Sequence, residues 1–272
     1  MEFTPIVLNP IGVVRSEIIN RKDMPVFGAE GCIEIFPSYL SALMGIEEHS
    51  HLWILTWLHQ ADRSVLQATP KKVNRNAKLY GVFAVRTPVR PNPIALTLVK
   101  LVKIEGSILY VSGLDAIDGS PVVDVKPYFE DDTVFSPRAP YMPPLDTELL
   151  KKNLLKQALT HHGEMCSDLL VGVRMALVAQ QLLGNITSPN IVLMVNGSPC
   201  LGDVLQGVCR ARLANPARFV YQFRDNFRQS IWMSEDQKKM ITITYQFSRD
   251  FNEVYFEELL DEEIFTINKE YN

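Results

Sequence analysis

A proline-rich stretch in the middle of the chain is the feature that most constrains how it can fold. Residues Ser136–Pro144 hold four prolines in nine residues. Because proline lacks a backbone N–H and has a fixed φ, this stretch cannot form a regular helix or strand. We therefore predict a linker over residues 136–144, between a first domain over residues 1–135 and a second over residues 145–272. A chain of 272 residues has room for two domains of ordinary size.

The hydrophobic pattern before the linker is typical of strands. Gly31–Phe36 alternates apolar and polar residues, and His51–Leu58 is almost continuously apolar, as in a barrel interior. Further strands are predicted over Phe3–Glu17, Leu96–Glu105, Ile108–Leu114 and Val122–Tyr128, and a helix over Pro37–Glu48. Several short strands with little helix between them favour an antiparallel β-barrel or a sandwich for the first domain.

After the linker the pattern becomes mixed. Helices are predicted over Leu145–Thr160, Met165–Leu183, Pro199–Cys209 and Glu253–Leu260, and strands over Ile191–Val195, Phe219–Phe223 and Ile241–Phe247. The fold class is therefore mixed, with an antiparallel β-barrel followed by a smaller α+β domain.

Composition places the chain among ordinary globular proteins. It has 27 basic and 31 acidic residues, and 47% of its residues are hydrophobic. No apolar run is long enough to span a membrane and Met1–Pro5 does not begin a secretory signal, so we expect a cytoplasmic protein without a membrane partner. Four cysteines are too few for a disulfide scaffold, which leaves reduced thiols or metal ligands.

The charge is distributed unevenly. Arg63–Ile104 contains nine basic residues and no acidic one. The overall acidic balance excludes bulk affinity for nucleic acid, but a local basic face can hold phosphates or a carboxylate. A solvated basic loop explains the same pattern.

Two segments of the first domain concentrate residues that bind ligands. In Tyr80–Leu96, three prolines stiffen a loop that carries Arg86 and Arg90, and a rigid pair of guanidinium groups suits a carboxylate or a phosphate. A proline-braced barrel turn with surface arginines is the alternative. In the second segment, Asp115 and Asp118 either accept backbone hydrogen bonds in a turn or face a cationic or hydroxyl-bearing ligand.

An ordered set of motifs in the first domain carries a family resemblance. They are Ile11–Ser16, Ser50–Leu55, His59-Gln60, Gly81–Arg86, Arg90–Ile94 and Leu114–Tyr128. With them the domain resembles the TrmO (YaeB, TsaA-like) family of S-adenosylmethionine-dependent methyltransferases, which are built on a β-barrel. The resemblance implies N6-methylation of threonylcarbamoyladenosine in tRNA and a homodimer that binds the cofactor near its interface.

The same resemblance implies the site residues. Those expected to contact S-adenosylmethionine are His59, Gln60, Arg86, Arg90, Asn92, Leu96, Asp115 and Asp118. The acceptor nitrogen must also lose a proton, for which His59 and Asp118 are the candidate catalytic residues; the sequence does not choose between them.

One segment departs from the family pattern and keeps other functions open. Met24–Gly31 lacks the Arg and Gln that family members usually carry before the second strand. This favours a second hypothesis, methylation of a small molecule or a metal-linked metabolite. A third hypothesis is a non-catalytic protein that senses the cofactor or a metal.

The second domain resembles the FmdE family, which is named after formylmethanofuran dehydrogenase. The motifs are His162–Cys166, Gly172–Ala176 and Cys200–Cys209. His162, Cys166 and Cys200 offer the imidazole and thiolate donors that zinc or nickel takes, with Asp203 as a fourth ligand or as a partner of a ligand. Buried structural thiols are the alternative.

Overall fold

The computed structural model describes residues 4–236, 238–246 and 251–271. The chain forms two compact units, Met1–Val134 and Phe135–Asn272. Ser136–Pro144 contains neither helix nor strand. Phe3, the first residue of one predicted strand, and Phe247, the last residue of another, lie outside the described residues. Among the described helices, none combines the length and the hydropathy needed to cross a membrane.

The first unit is a closed antiparallel barrel. Its strands are β1 (Gly12–Arg15), β2 (Ala29–Ile35), β3 (His51–Trp57), β6 (Ile94–Glu105), β7 (Ile108–Leu114) and β8 (Pro121–Pro127), and a separate two-stranded ribbon joins β4 (Gln67–Ala68) to β5 (Tyr80–Gly81). Around the barrel the order is β1-β2-β7-β6-β3-β8, and β8 pairs with β1 to close it. The expected barrel is thereby confirmed.

Alternation along the strands builds the barrel core. In β3, Leu52, Ile54 and Thr56 are buried inside, whereas the residues between them point outward. Residues from the other five strands complete the core, namely Val14, Ile33, Ile35, Val99, Leu109, Val111, Leu114 and Val122. Each buried large aliphatic side chain contributes roughly 1.5–3 kcal/mol, so the interior stabilises the closed form.

The segment between β2 and β3 differs from its prediction. An α-helix was expected over Pro37–Glu48, but two 3₁₀ helices form, Pro37–Leu43 and Ile46–Glu48. Gly45 separates them with a φ of 83°, a left-handed conformation that breaks a right-handed helix. The helical start at Pro37 agrees with the prediction.

The second unit packs helices on one face of a sheet. Its helices are α1 (Thr147–His162), α2 (Ser167–Leu183), α3 (Pro199–Cys209), α4 (Glu253–Glu258) and α5 (Asp261–Ile264), and its strands are β9 (Ile191–Gly197), β10 (Phe219–Phe223), β11 (Gln229–Ser234), β12 (Lys239–Tyr245) and β13 (Phe265–Tyr271). The sheet order is β10-β9-β11-β12-β13, with β10 parallel to β9 and the other pairs antiparallel. An α+β second unit is therefore confirmed.

Two strands of this sheet were not predicted. In β11, buried Ser230, Trp232 and Ser234 alternate with half-buried residues. Because two of these three inward residues are polar, the sequence lacks the alternation of apolar and polar residues that predicts a strand. β13 is an edge strand with mostly exposed polar side chains. The chain therefore does not end on a helix, as expected from Glu253–Leu260, but continues through α5 into β13.

A close backbone approach fixes the loop before β2. Gly28 has a φ of 74°, and a Cβ atom added there would lie 2.5 Å from the carbonyl carbon and oxygen of Gly113. The loop can lie against the end of β7 only because residue 28 has no side chain. The ammonium of Lys72 donates a hydrogen bond to the Met24 carbonyl, which also holds this loop.

We expect Gly28→Ala to destabilise the first unit by about 3 kcal/mol, because it combines left-handed strain with a backbone clash. Gly45→Ala is the matched control: its φ is 83° but nothing lies within 4 Å of the added Cβ, so the cost is about 1 kcal/mol. Hydrogen exchange of β2 and β7 peptides measures both. Equal effects of the two substitutions would contradict the close-approach argument.

Candidate functional sites

The residues that follow β3 and the residues that precede β6 lie side by side at one end of the barrel. Trp57, the last residue of β3, pairs with Ile94, the first of β6. The next residue, Leu58, donates its N–H to the Pro93 carbonyl at 2.8 Å. His59 and Gln60 therefore leave β3 beside the segment that carries Asn92, and all three side chains are exposed.

The connection from β7 to β8 reaches the same end. β8 is antiparallel to β3 and pairs Val122 with Thr56, so the residues just before β8 lie near the end of β3. This connection, residues 115–120, carries Asp115 and Asp118. Closure of the barrel thus brings three separate sequence motifs to one rim.

Asp118 holds the backbone of this rim. Its Oδ1 accepts a hydrogen bond from the Ser16 N–H at 3.1 Å, and its own N–H donates to the Ile18 carbonyl at 2.8 Å. An open cleft of about 620 Å³ begins beside it, lined by Arg15, Ser16, Glu17, Ile18, Ala29, Glu30, Gly31, Cys32, Tyr110 and Asp118. One Asp118 oxygen is therefore engaged in fixing the turn.

The two arginines of the proline loop have different surroundings. Arg90 donates to the carbonyls of Val82 and Val85, the latter at 3.0 Å, and so braces its own loop. Arg86 is exposed. Both arginines are predicted to contact the cofactor, and the structure adds that Arg90 braces its own loop and that Arg86 lies at the surface. Arg63 adds a second brace by donating to the Pro91 carbonyl at 2.9 Å.

Asp115 has a perturbed acidity. Neighbouring protein atoms displace water and raise the pKa of its carboxyl group, while the positive charge of Lys72 acts in the opposite direction. Its residue surface remains accessible to solvent. An aspartate whose charged form is partly desolvated suits a ligand that supplies hydroxyl donors or a positive charge.

Three buried polar atoms belong to the strand end and loops of this rim. Among side chains of the described residues in the first unit, Thr56 Oγ1, Arg90 Nε and Ser120 Oγ are buried without a hydrogen-bond partner. Thr56 and Ser120 are also fully buried as residues. Because buried polar atoms in native proteins are nearly always paired, we expect water or a bound ligand to pair with these three.

Leu96 lies outside the barrel wall. It pairs with Leu55 across β3 and β6, and the neighbouring pairs on the same face are Trp53 with Leu98 and Trp57 with Ile94. Leu96 is 48% exposed and Leu98 38% exposed. These six side chains, which we call the outer apolar face, form a continuous hydrophobic strip at the surface.

Three donor atoms meet in the second unit, at the ends of three helices. His162 ends α1, Cys166 caps the N-terminus of α2, and Cys200 is the second residue of α3. One ligand atom from each lies within 4.8 Å of the other two. Burial raises the pKa of the Cys200 thiol, and the neighbouring Cys166 raises it further. The structure thus brings together all three predicted metal ligands.

Asp203 stands beside this cluster. Its Oδ2 lies 2.8 Å from His162 Nδ1, and its Oδ1 lies 3.2 Å from His161 Nε2. A carboxylate only accepts, so in the neutral imidazole this contact places the proton on Nδ1 of His162 and leaves a lone pair on Nε2. That Nε2 lies 3.4 Å from Cys166 Sγ. Of the two predicted roles for Asp203, the geometry favours a partner of a ligand.

Comparison with known proteins matches the two units to separate families. Residues 13–132 match the family described as "tRNA-methyltransferase O N-terminal domain", and residues 161–266 match "FmdE, Molybdenum formylmethanofuran dehydrogenase operon". A "Probable S-adenosyl-L-methionine-binding protein" of Methanothermobacter thermautotrophicus is 50% identical over 135 residues, which are 48% of this chain and 96% of that protein. The chain belongs to the TrmO family.

Two further relatives of this TrmO family member cover different extents. An Archaeoglobus fulgidus protein with the same name is 36% identical over 219 residues, 76% of this chain and 59% of that protein. A "tRNA (adenine(37)-N6)-methyltransferase" of Mus musculus is 47% identical over 97 residues, 36% of this chain and 22% of that protein. Family membership assigns the chain to the S-adenosylmethionine-dependent methyltransferases.

Some residues of this TrmO site were not singled out by the sequence. Lys72 holds the loop before β2 and acts on Asp115, and Ser16 fixes Asp118 through its backbone. Arg63 stacks its guanidinium 5.5 Å from the Trp57 ring centre as it braces the proline loop. Lys72 and Arg63 both lie in the acid-free segment Arg63–Ile104, which was a sequence indication of their importance. Their contacts are long-range and could not be deduced from residue spacing.

Proposed function

We propose that this chain transfers the methyl group of S-adenosylmethionine to N6 of adenine 37 in tRNA, with threonylcarbamoyladenosine as the acceptor. The observation that carries the proposal is the convergence of the TrmO motifs on one rim of the barrel, together with the relatives named for this tRNA reaction. The acid-free segment Arg63–Ile104 supports an RNA acceptor. Its exposed cations, such as Lys71 and Arg75, supply the phosphate contacts on which RNA affinity depends.

The residues of the rim divide the work of binding. Arg86 suits the methionine carboxylate of the cofactor, and Asp115 suits its ribose hydroxyls or its positive sulfonium. His59, Gln60 and Asn92 line the same rim. Arg90 and Arg63 keep the loop rigid, so that the donor and the acceptor meet without further ordering of the chain.

The transfer itself is an in-line displacement. Bound S-adenosylmethionine would supply a methyl group activated by its positive sulfonium: the acceptor nitrogen would form the new bond to carbon while the carbon–sulfur bond breaks and its electron pair stays on sulfur. The nitrogen then gives its proton to a base, for which His59 and Asp118 are the candidates. His59 is exposed on the rim, and Asp118 has one oxygen engaged with Ser16.

We expect Arg86→Ala to weaken S-adenosylmethionine binding by at least tenfold in calorimetry, since it removes a charge-assisted contact worth about 1.5–3 kcal/mol. Lys126→Ala is the control, because Lys126 pairs with Asp124 toward the far end of β8.

A second experiment tests the acceptor. Unfractionated tRNA from cells lacking the family enzyme serves as the acceptor, with nucleoside analysis of the product.

The outcomes of these experiments separate the hypotheses. Intact cofactor binding without the methylated nucleoside would favour a small-molecule acceptor. Absence of cofactor binding at micromolar concentration would favour the non-catalytic alternative and overturn the proposal.

We propose a homodimer that buries the outer apolar face. Six large hydrophobic side chains in a row on paired strands are unusual for a surface that stays in water. Leu96, expected near the cofactor, belongs to this face. An interface there would therefore lie beside the rim.

Leu96→Glu is expected to shift the protein to monomers in analytical ultracentrifugation, because a charge would have to be buried without a partner. The control is Met44→Glu, at a residue 92% exposed between the two 3₁₀ helices. A wild-type protein that sediments as a monomer at all concentrations would contradict the proposed interface.

We propose that the second unit binds one zinc ion through His162, Cys166 and Cys200. Bond lengths of about 2.0 Å to nitrogen and 2.3 Å to sulfur place two donors of a tetrahedral site about 3.5 Å apart. The separation of 3.4 Å between His162 Nε2 and Cys166 Sγ fits that geometry. Two thiolates and one imidazole are donors that zinc takes readily, with nickel as the competing metal.

Metal analysis of the purified chain is expected to find up to one zinc per protomer, and Cys166→Ser is expected to lose it. Cys209→Ser is the control, since Cys209 is fully buried and burial raises the pKa of its thiol to about 12. A metal-free protein whose thermal midpoint does not change with added zinc would support structural thiols instead.

A further inference from the structure

We propose that Asp203 positions His162 from outside the metal's coordination shell and leaves the fourth coordination position to a small exogenous thiol. This inference rests on the proposed zinc site. It adds that the site is open to a ligand, as in zinc sites with three protein donors, whereas structural zinc sites have four.

Both oxygens of Asp203 are in contact with histidine rings. One oxygen lies 2.8 Å from the His162 ring and the other 3.2 Å from the His161 ring. To reach the metal, Asp203 would have to give up at least one of these contacts. A carboxylate held against the far nitrogen of a ligand histidine fixes the orientation of the ring and strengthens its donor nitrogen.

The packing of His161 keeps Asp203 in this position. A Cβ atom added at Gly207 would lie 2.6–2.7 Å from the Cβ, Cγ and Cδ2 atoms of His161. Gly207 and Asp203 are four residues apart on α3, so they lie on the same face of that helix. The missing side chain at position 207 therefore makes room for the ring that holds the second Asp203 oxygen.

A second aspartate near the thiols is also engaged. Asp168 accepts hydrogen bonds from Ser198 on one oxygen and from Arg228 on the other. Within the described part of the chain, the donor group contains His162, Cys166 and Cys200 and no fourth side chain. Three protein donors leave a tetrahedral metal one position short.

The surroundings favour an anionic, soft ligand in that position. The N-terminus of α2 begins at Cys166 and that of α3 just before Cys200, and helix N-termini stabilise negative charge. A metal that already holds two thiolates accepts a third readily, because soft donors select the same ions. Cys166 and Cys200 are both half-buried, so solvent reaches the site.

Cobalt(II) spectroscopy of the full chain tests both parts of the inference. The metal-free protein is titrated with cobalt(II), and the sulfur-to-cobalt charge-transfer band counts the bound thiolates. We expect 2-mercaptoethanol to raise that band by about one half, from two thiolates to three, at one cobalt per protomer. No change on adding the thiol would overturn the open position.

Asp203→Asn and Gly207→Ala test the positioning role. We expect both to weaken cobalt binding, Asp203→Asn by about 10–100-fold, with the charge-transfer band per bound cobalt unchanged. Gly207→Ala would otherwise strengthen α3, since alanine is the better helix former, so a weaker site cannot be ascribed to a weaker helix. Asp261→Asn, in the same unit and paired with Arg174, is the control.

The remaining outcomes are distinct. Changed ligand-field bands in saturated Asp203→Asn would show that Asp203 is itself a ligand and would overturn the inference. The charge of Glu164 acts on Cys200. If 2-mercaptoethanol raises the charge-transfer band in Glu164→Gln but not in the wild-type protein, then Glu164 fills the fourth position and the inference is overturned. If the wild-type protein binds no cobalt, the proposed zinc site fails, and with it the premise.

Discussion

Pairing of β8 with both β1 and β3 is the interaction on which the first unit depends. It closes the barrel sheet, so each of its six strands has two neighbours and the barrel leaves no edge to aggregate. Closure also fixes where each connection emerges. His59, Asn92 and Asp118 are far apart in the sequence, and only the closed register brings their segments to one rim. A barrel opened at this seam would keep its motifs but lose the site.

Sequence patterns predicted the elements that obey simple rules. The alternation of β2, the apolar run of β3 and the β6–β7 hairpin all agree with the structure, because burial on one face is visible in the residue types. β11 was not predicted because Ser230 and Ser234 occupy inward positions. β13 was not predicted because an edge strand needs no hydrophobic alternation. In both cases the neighbouring strand, not local composition, decides the conformation.

For the sites, the family resemblances predicted which residues lie together better than they predicted the contacts of each one. The three metal ligands implied by the FmdE resemblance do meet, at the ends of three helices. Arg90 is predicted to contact a ligand, and the structure adds bonds from its guanidinium to the carbonyls of its own loop. A guanidinium group donates to carbonyls as well as to carboxylates, so residue type does not reveal that an arginine braces its loop. Only the tertiary position of the loop reveals that role.

The energetic costs of the first unit are concentrated at the rim. Asp115 sits where burial disfavours its charge, and Thr56, Arg90 and Ser120 each keep a buried polar atom without a protein partner in the described structure. An unpaired buried polar atom costs about 1–3 kcal/mol, so a fold selected for stability alone would remove such groups. The far end of the barrel shows no comparable group among the described residues. A ligand that brings hydroxyl groups and positive charge to the rim can offset part of this cost, which is a physical reason to place cofactor binding there and to expect the empty barrel to be the less stable form.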